Sequence, residues 1–372
     1  LVIIHGSTIS FNKVMNIIAL QKSQSIGFSY TKAGIVLTSL MVILIGVGIW
    51  AVGVGAVSIS FKEVGYILLN ELGWTNTHFA EQQAVILTVI RLPRVLMGIL
   101  VGAVLGITGA SMQGLFRNPL ADPGLIGISS GASLFAVGMI VLELKVIQQL
   151  NGLAGLYGMS FVAFFGACLT TVLVYQLSKV EGKAVVTTML LAGIAVNALS
   201  GAITGLMTYM ANDAQLRTIQ FWGLGSLGGA SWDALKVATP LCLIPILFVP
   251  RLGKALNAFA LGENQAEHLG INPIRLKNQI IILTTLGVGV SVALCGAIGF
   301  VGLIIPHIIR LFAGADHRLV LPASALLGAI VLTLADLVSR TIVAPAELPI
   351  GIVTAMLGTP IFIWILVKNR NQ

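Results

Sequence analysis

The sequence predicts an all-α protein that crosses a membrane about ten times. Three observations carry that expectation. Of 372 residues, 57% are hydrophobic and 9% are charged, against about 45–50% and about 25% in a soluble globular chain. Thirty-four charges cannot solvate the surface of a soluble protein this size. The mean hydropathy is +0.99, and the apolar residues gather in stretches near the length of about 20 that a helix needs to cross hydrocarbon about 30 Å thick. The 42 glycines fit the same reading, because membrane helices use small residues to pack closely. Disorder, a collagen-like repeat and a secreted disulfide scaffold are excluded. Cys168, Cys242 and Cys295 stand alone in apolar runs with no CxxC, and read as packing thiols.

Apolar runs between charged or turn-rich breaks give spans near 33–56, 92–114, 124–143, 156–178, 185–211, 234–250, 279–299, 300–312, 321–343 and 350–367. The eighth is short, carries Pro306, and borders a cluster of Gly296, Gly299 and Gly302. A broken half-helix must lie among other helices, since its freed backbone groups cannot face lipid. Ten spans put both termini on one side. Scoring the loops gives 14 Lys and Arg on the side of the termini against 7 on the other, so the termini are expected in the cytoplasm. The net charge of +8 then reflects cytoplasmic loops rather than nucleic-acid binding. Residues 1–32 lack the charged start, apolar core and cleavage site of a signal peptide and read as a cytoplasmic tail. Residues 33–367 read as one transmembrane domain, and 368–372 as a second cytoplasmic tail.

Arginine on the outer side opposes the topology rule. Arg91 and Arg94 flank Pro93 at the mouth of the second span, and Arg340 ends the ninth. They suit docking of an acidic partner outside the membrane, since guanidinium forks match carboxylates. The alternative is that they snorkel to headgroups or pair with Asp336 and Glu347. Gly98, Gly102, Gly106, Ala110 and Gly114 recur every fourth residue along the second span. Such a stripe favours close packing inside the subunit over a dimer seam.

The longest inner loop, 251–278, contains an expected short helix over 260–270 ended by Gly270. Leu261 and Leu269 give it apolar contacts, and Glu263 and Glu267 an acidic face at i, i+4. A membrane-resting helix carries Lys and Arg on its polar face, so a cytoplasmic protein partner fits better. Groups able to do chemistry are sparse. His307 and Asp336 are the main ionisable candidates inside the spans, and an ion-coupled carrier would need an intramembrane relay. Gly182-Lys183 is followed by Ala184 and lacks the upstream glycine of a phosphate-binding loop. The five histidines show no metal-ligand spacing, and no catalytic set suggests an enzyme. Neither a bound metal nor a cofactor is expected on this chain. Uphill transport would need energy from another polypeptide.

Several segments together resemble the FecCD-type permeases. They are Arg91-Leu92-Pro93-Arg94, the run from Gln113 to Gly124 (QGLFRNPLADPG), Gly127-Ile128-Ser129-Ser130-Gly131-Ala132, the run from Gly296 to His307 (GAIGFVGLIIPH), and Ala346-Glu347-Leu348-Pro349-Ile350-Gly351. The resemblance spans about residues 34–367. It implies the membrane subunit of a bacterial ATP-binding-cassette importer for iron chelates, heme or vitamin B12, with the type II, vitamin-B12-permease-like fold. It implies a homodimer around a central pathway, two cytoplasmic ATPase subunits that carry ATP and Mg, and an outer solute-binding protein. Under it, Arg91, Arg94 and Arg340 dock the binding protein. Leu261, Gly262, Glu263, Ala266, Leu269 and Gly270 belong to the coupling helix seated in the ATPase. The fifth span lines the pathway, with Met207, Met210 and Arg217 as candidate pathway residues. The segment 212–230 and Gly314-Ala315-Asp316-His317-Arg318 look most like heme importers, with siderophore and cobalamin permeases as the alternatives. Arg217 could meet a heme carboxylate or pair with Asp213 at i, i+4, and spacing leaves the two level.

Overall fold

The computed structural model describes residues 3–4, 7–8, 30–55, 57, 59–71, 73–74, 81–142 and 157–370. Most of the expected tail at 1–32, the last two residues of the other tail and Lys145 lie outside these. Among the described residues, seven helices are long and apolar enough to cross a membrane, and three shorter apolar helices accompany them. Together they occupy the ten expected stretches.

The elements are α1 (Tyr30–Gly53), α2 (Phe61–Glu71), α3 (Glu81–Val85), α4 (Leu92–Phe116), α5 (Ile128–Val141), α6 (Gly158–Leu177), α7 (Val186–Met210) and α8 (Asp213–Leu224). They continue as α9 (Trp232–Phe248), α10 (Gly253–Ala260), α11 (Glu263–His268), α12 (Pro273–Cys295), α13 (Val301–Ala313), α14 (His317–Thr341) and α15 (Ile350–Arg370). A two-stranded antiparallel hairpin, Lys179–Val180 with Lys183–Ala184, precedes α7. Glu181 and Gly182 turn it, both at positive φ, as a tight hairpin turn requires.

The centre is made by α4, α12 and α14. The α4 stripe faces α14 closely: a Cβ on Gly102 would lie 2.4 Å from the Gly328 carbonyl oxygen, and one on Gly106 would lie 2.1 Å from that of Ser324. Only glycine permits such backbone approach, and the stripe therefore packs the subunit's own interior. The outer helices differ. Along α7, Leu191, Ile194, Leu199 and Leu206 are all exposed, as suits a helix facing lipid or another chain.

Four boundaries differ from the sequence expectation. The second span does not begin at Leu92: α3 and a π-helical stretch, Ile86–Arg91, run straight into α4. Arg91 and Arg94 thus sit within a continuous 36-residue helical segment, Glu81–Phe116, and not at its mouth. The third span shortens to α5, 14 residues, preceded by a 3-10 turn at Pro123–Ile126 capped by Asp122. The seventh ends at Cys295 because Gly296 takes φ 72°. The eighth is not interrupted by Pro306; α13 runs through it, and the break lies upstream at Gly296–Phe300, where Phe300 also has positive φ. Proline removes the N–H that would reach the Gly302 carbonyl. The amide of buried Gln113 lies over this spot, donating to the Leu303 carbonyl at 2.9 Å and more weakly to that of Gly302 at 3.5 Å.

Four short helices, α2, α3, α8 and α10, were not expected, and two of them carry capping signals. At α2 the Ser60 hydroxyl accepts from the Glu63 N–H, and the Glu63 carboxylate accepts from the Ser60 N–H. At α8 Asn212 and Gln215 form the same reciprocal cap. Ser-x-x-Glu and Asn-x-x-Gln are legible capping signals.

Candidate functional site

Polar groups concentrate at the two ends of the bundle. At one end the arginines turn inward. Arg91, Arg94 and Arg340 are 4%, 6% and 7% exposed. Arg94 donates through Nε to Asp336 at 2.9 Å and through Nη1 to Glu347 at 2.7 Å. Arg340 lies 3.6 Å from the same Asp336 and donates to the Ala51 carbonyl. Arg91 donates to the carbonyls of Val52, Gly53 and Val57. The last turn of any helix leaves carbonyls without intrahelical partners; here Arg91 and Arg340 satisfy those of α1. The pairing with Asp336 and Glu347 left open by the sequence is what Arg94 makes. Glu347, its side chain 47% exposed, is the part of the cluster that water reaches.

At the other end lies the loop 251–278. Its short helix begins at Glu263 and not at 260, because Gly262 takes φ 130° and separates α11 from α10. Gly270, at φ 81°, ends the turn that follows. Ala266 is fully buried, anchoring α11. Leu261 and Leu269 are 67% and 61% exposed, so two leucines flank the helix on the surface. The acidic face also divides. Glu267 is exposed, whereas Glu263 accepts from the buried Lys277 ammonium at 2.5 Å. Nearby, Asp316 caps α14 and accepts from Arg318 Nη2 at 2.6 Å and Asn257 Nδ2 at 2.7 Å. Partial burial disfavours its charge, but these donors outweigh that and hold the carboxyl at about 2.

The candidate pathway residues are not brought to one place. Arg217 is exposed on α8, and among the described residues it forms no ion pair with Asp213. It borders a recess of about 470 Å³ with Met159, Phe221, Trp222 and Cys295. Met210 is 69% exposed at the end of α7, whereas Met207 packs its sulfur against Gly138 of α5. Neither methionine lines the Arg217 recess. The middle of α7 is pinned: Asn197 donates to the Gly124 carbonyl at 3.1 Å and accepts from Ser130 at 2.5 Å. Among the described residues, no group of three His, Cys, Asp or Glu side chains is placed to hold a metal ion.

Residues 40–368 match the FecCD transport family. The chain belongs to that family. The hemin transport system permease protein HmuU of Yersinia pestis is 42% identical over 333 residues, covering 90% of this chain and 95% of that one. The vitamin B12 import system permease protein BtuC of Salmonella typhi is 44% identical over 283 residues, covering 76% and 83%. A solved metal-chelate type ABC transporter in an inward-facing conformation superposes with a TM-score of 0.77 at 30% identity, over 89% of this chain and 98% of that one. The FecCD fold is thus established for this multi-pass membrane protein, as the sequence motifs implied. Lys277 and Asn197 escaped the sequence reading. By sequence Lys277 is a loop charge, because a lysine four residues past a proline helix start carries no signal that it folds inward.

Proposed function

We propose that this chain is the permease subunit of an ATP-driven importer that passes hemin into the bacterial cytoplasm. The observation that carries this reading is the end-to-end likeness to a hemin permease, which extends over nine-tenths of the chain. The recess at Arg217 supports it: aromatic walls suit a flat apolar macrocycle, and an unpaired guanidinium suits its carboxylates. Cobalamin is the second reading, favoured by the likeness to vitamin B12 permeases. The chain works as a homodimer with α7 along the shared pathway, and both termini face the cytoplasm. It binds no cofactor; ATP and Mg belong to two partner ATPase subunits, which seat on α11 between exposed Leu261 and Leu269. Residues 33–367 act as one domain.

An outer solute-binding protein docks at the Arg91–Arg94–Arg340 end. There three cations face two carboxylates, so an acidic partner meets excess positive charge and competes with Glu347 for Arg94. Reversing Arg91 and Arg340 to Glu is expected to weaken docking, more at low salt than at high, because salt screens charge; equal docking by both proteins removes that role.

The deciding experiment reconstitutes the permease in vesicles with its ATPase and binding protein. Hemin accumulation that vanadate abolishes supports the reading. Preference for cobalamin or a ferric siderophore moves the substrate, and uptake stopped by a protonophore while ATP persists replaces the importer with an ion-coupled carrier.

A further inference from the structure

We propose that Lys277 is the joint through which movement of α11 reaches α7, and that Glu263 serves this joint rather than the partner surface. The inference rests on the coupling role given to 260–270 above and adds a residue-level route.

Lys277 is 2% exposed, among the largest fully buried side chains described. A buried ammonium is costly unless its protons are taken up by acceptors. Two acceptors come from two different elements. Glu263, the first residue of α11, accepts at 2.5 Å, and the Ala184 carbonyl accepts at 2.7 Å. Ala184 is the last residue of the hairpin, and α7 starts two residues later. Lys277 itself belongs to the first turns of α12. One nitrogen therefore ties together the surface helix, the entry to α7 and a central helix.

Mechanics follow from what else holds each part. The far side of α11 is exposed, and Ala266 is its buried anchor. The body of α7 is fixed at its middle by Asn197, while its start hangs from the hairpin. Displacing the start of α7 through Ala184 would tilt the helix about the Asn197 attachment. Lysine suits this joint, because a compact charge on a flexible four-carbon stem keeps both partners as they shift. Glu263, its side chain 40% exposed, stays in reach of water and can follow α11.

The test uses the complete importer in vesicles, comparing wild type, Lys277→Met and Lys277→Arg. The readout is solute carried per ATP hydrolysed. Lys277→Met keeps the volume but loses both bonds, and is expected to lower that ratio about tenfold, within the usual range of coupling between sites. Lys277→Arg keeps the charge and restores most of it. An unchanged ratio in Lys277→Met, or equal losses in both variants, overturns the proposal. Hydrogen exchange on the same complexes gives a second, transport-independent readout. In wild type, nucleotide binding to the ATPase alters exchange in 263–271 and 179–187 together. In Lys277→Met the change persists in the first segment and disappears from the second; a concerted change in the variant overturns the joint. Lack of ATP-driven uptake by wild type would defeat the proposed function instead, and the exchange comparison would still decide the joint.

Discussion

At one end of the bundle Arg94 grips Asp336 and Glu347 while Arg340 crowds the same Asp336. At the other, Lys277 alone holds Glu263 and one carbonyl. Both are buried cations facing carboxylates, yet they join different kinds of element. The arginine cluster clasps α4 to α14, helices whose backbones already touch along Gly102 and Gly106. Forked guanidiniums with several fixed bonds make a rigid clamp there. The lysine joins a six-residue helix and a hairpin that have little other anchorage. The same chemistry serves cohesion in the first case and transmission in the second, and the packing around each pair decides which.

The largest effect expected from breaking the comparison is at Asp336. Replacing it with Leu strands the buried Arg94 beside Glu347 alone and leaves Arg340 without its counter-charge. Removing one partner from a buried pair costs about 3–5 kcal/mol. Unfolding in detergent by a graded denaturant should show that loss, whereas Glu263→Gln at the other end should move the midpoint far less. Similar destabilisation at both ends would erase the distinction between clamp and joint.

Next in size is the packing beneath the clamp. Gly106→Val places side-chain carbon where the Ser324 carbonyl oxygen stands 2.1 Å from the first added atom. Overpacking of this kind costs about 1–3 kcal/mol. Gln113→Leu removes the amide that donates to the Leu303 carbonyl and lies beside the Gly302 carbonyl freed by Pro306, a loss of about 0.5–1.5 kcal/mol. Both should lower stability in the same denaturant assay while leaving α11 able to bind its partner. Full stability in Gly106→Val would mean that α4 and α14 part more easily than their contact implies.

How far the sequence could be read follows the same division. The clamp's helices were legible because their pattern is continuous: apolar runs of membrane length, and small residues every fourth position. Even the pairing of arginine with Asp336 and Glu347 stood among the readings, since the residues fall near one depth. What spacing could not supply was the inward turn of Arg91 and Arg340 onto the carbonyls of α1, which depends on where another helix ends. The joint was less legible still. Glu263 and Glu267 share a helix face by spacing, but only the fold separates the one that meets Lys277 from the one left in solvent. Local signals overlooked at Ser60 and Asn212 were, by contrast, present all along.

The smallest expected effect is also the one with a sign that can be checked by pH. Asp316 lies at the lysine end, in the turn between α13 and α14. Its carboxyl is held at about 2 against an ordinary 3.8, by donors from Arg318 and Asn257 that outweigh partial burial. A carboxyl depressed in the folded state stabilises the fold above its unfolded value, and that contribution fades as pH falls from about 3.8 toward about 2. The pair is open to water, so solvent screening limits it to about 1 kcal/mol or less. The gap in unfolding midpoint between wild type and Asp316→Asn should thus be small at pH 7 and close further between pH 4 and pH 2. A gap as wide as that of Asp336→Leu would make this end a second clamp. A gap that does not change with pH would show that the cap on α14, and not the charge, is what Asp316 contributes.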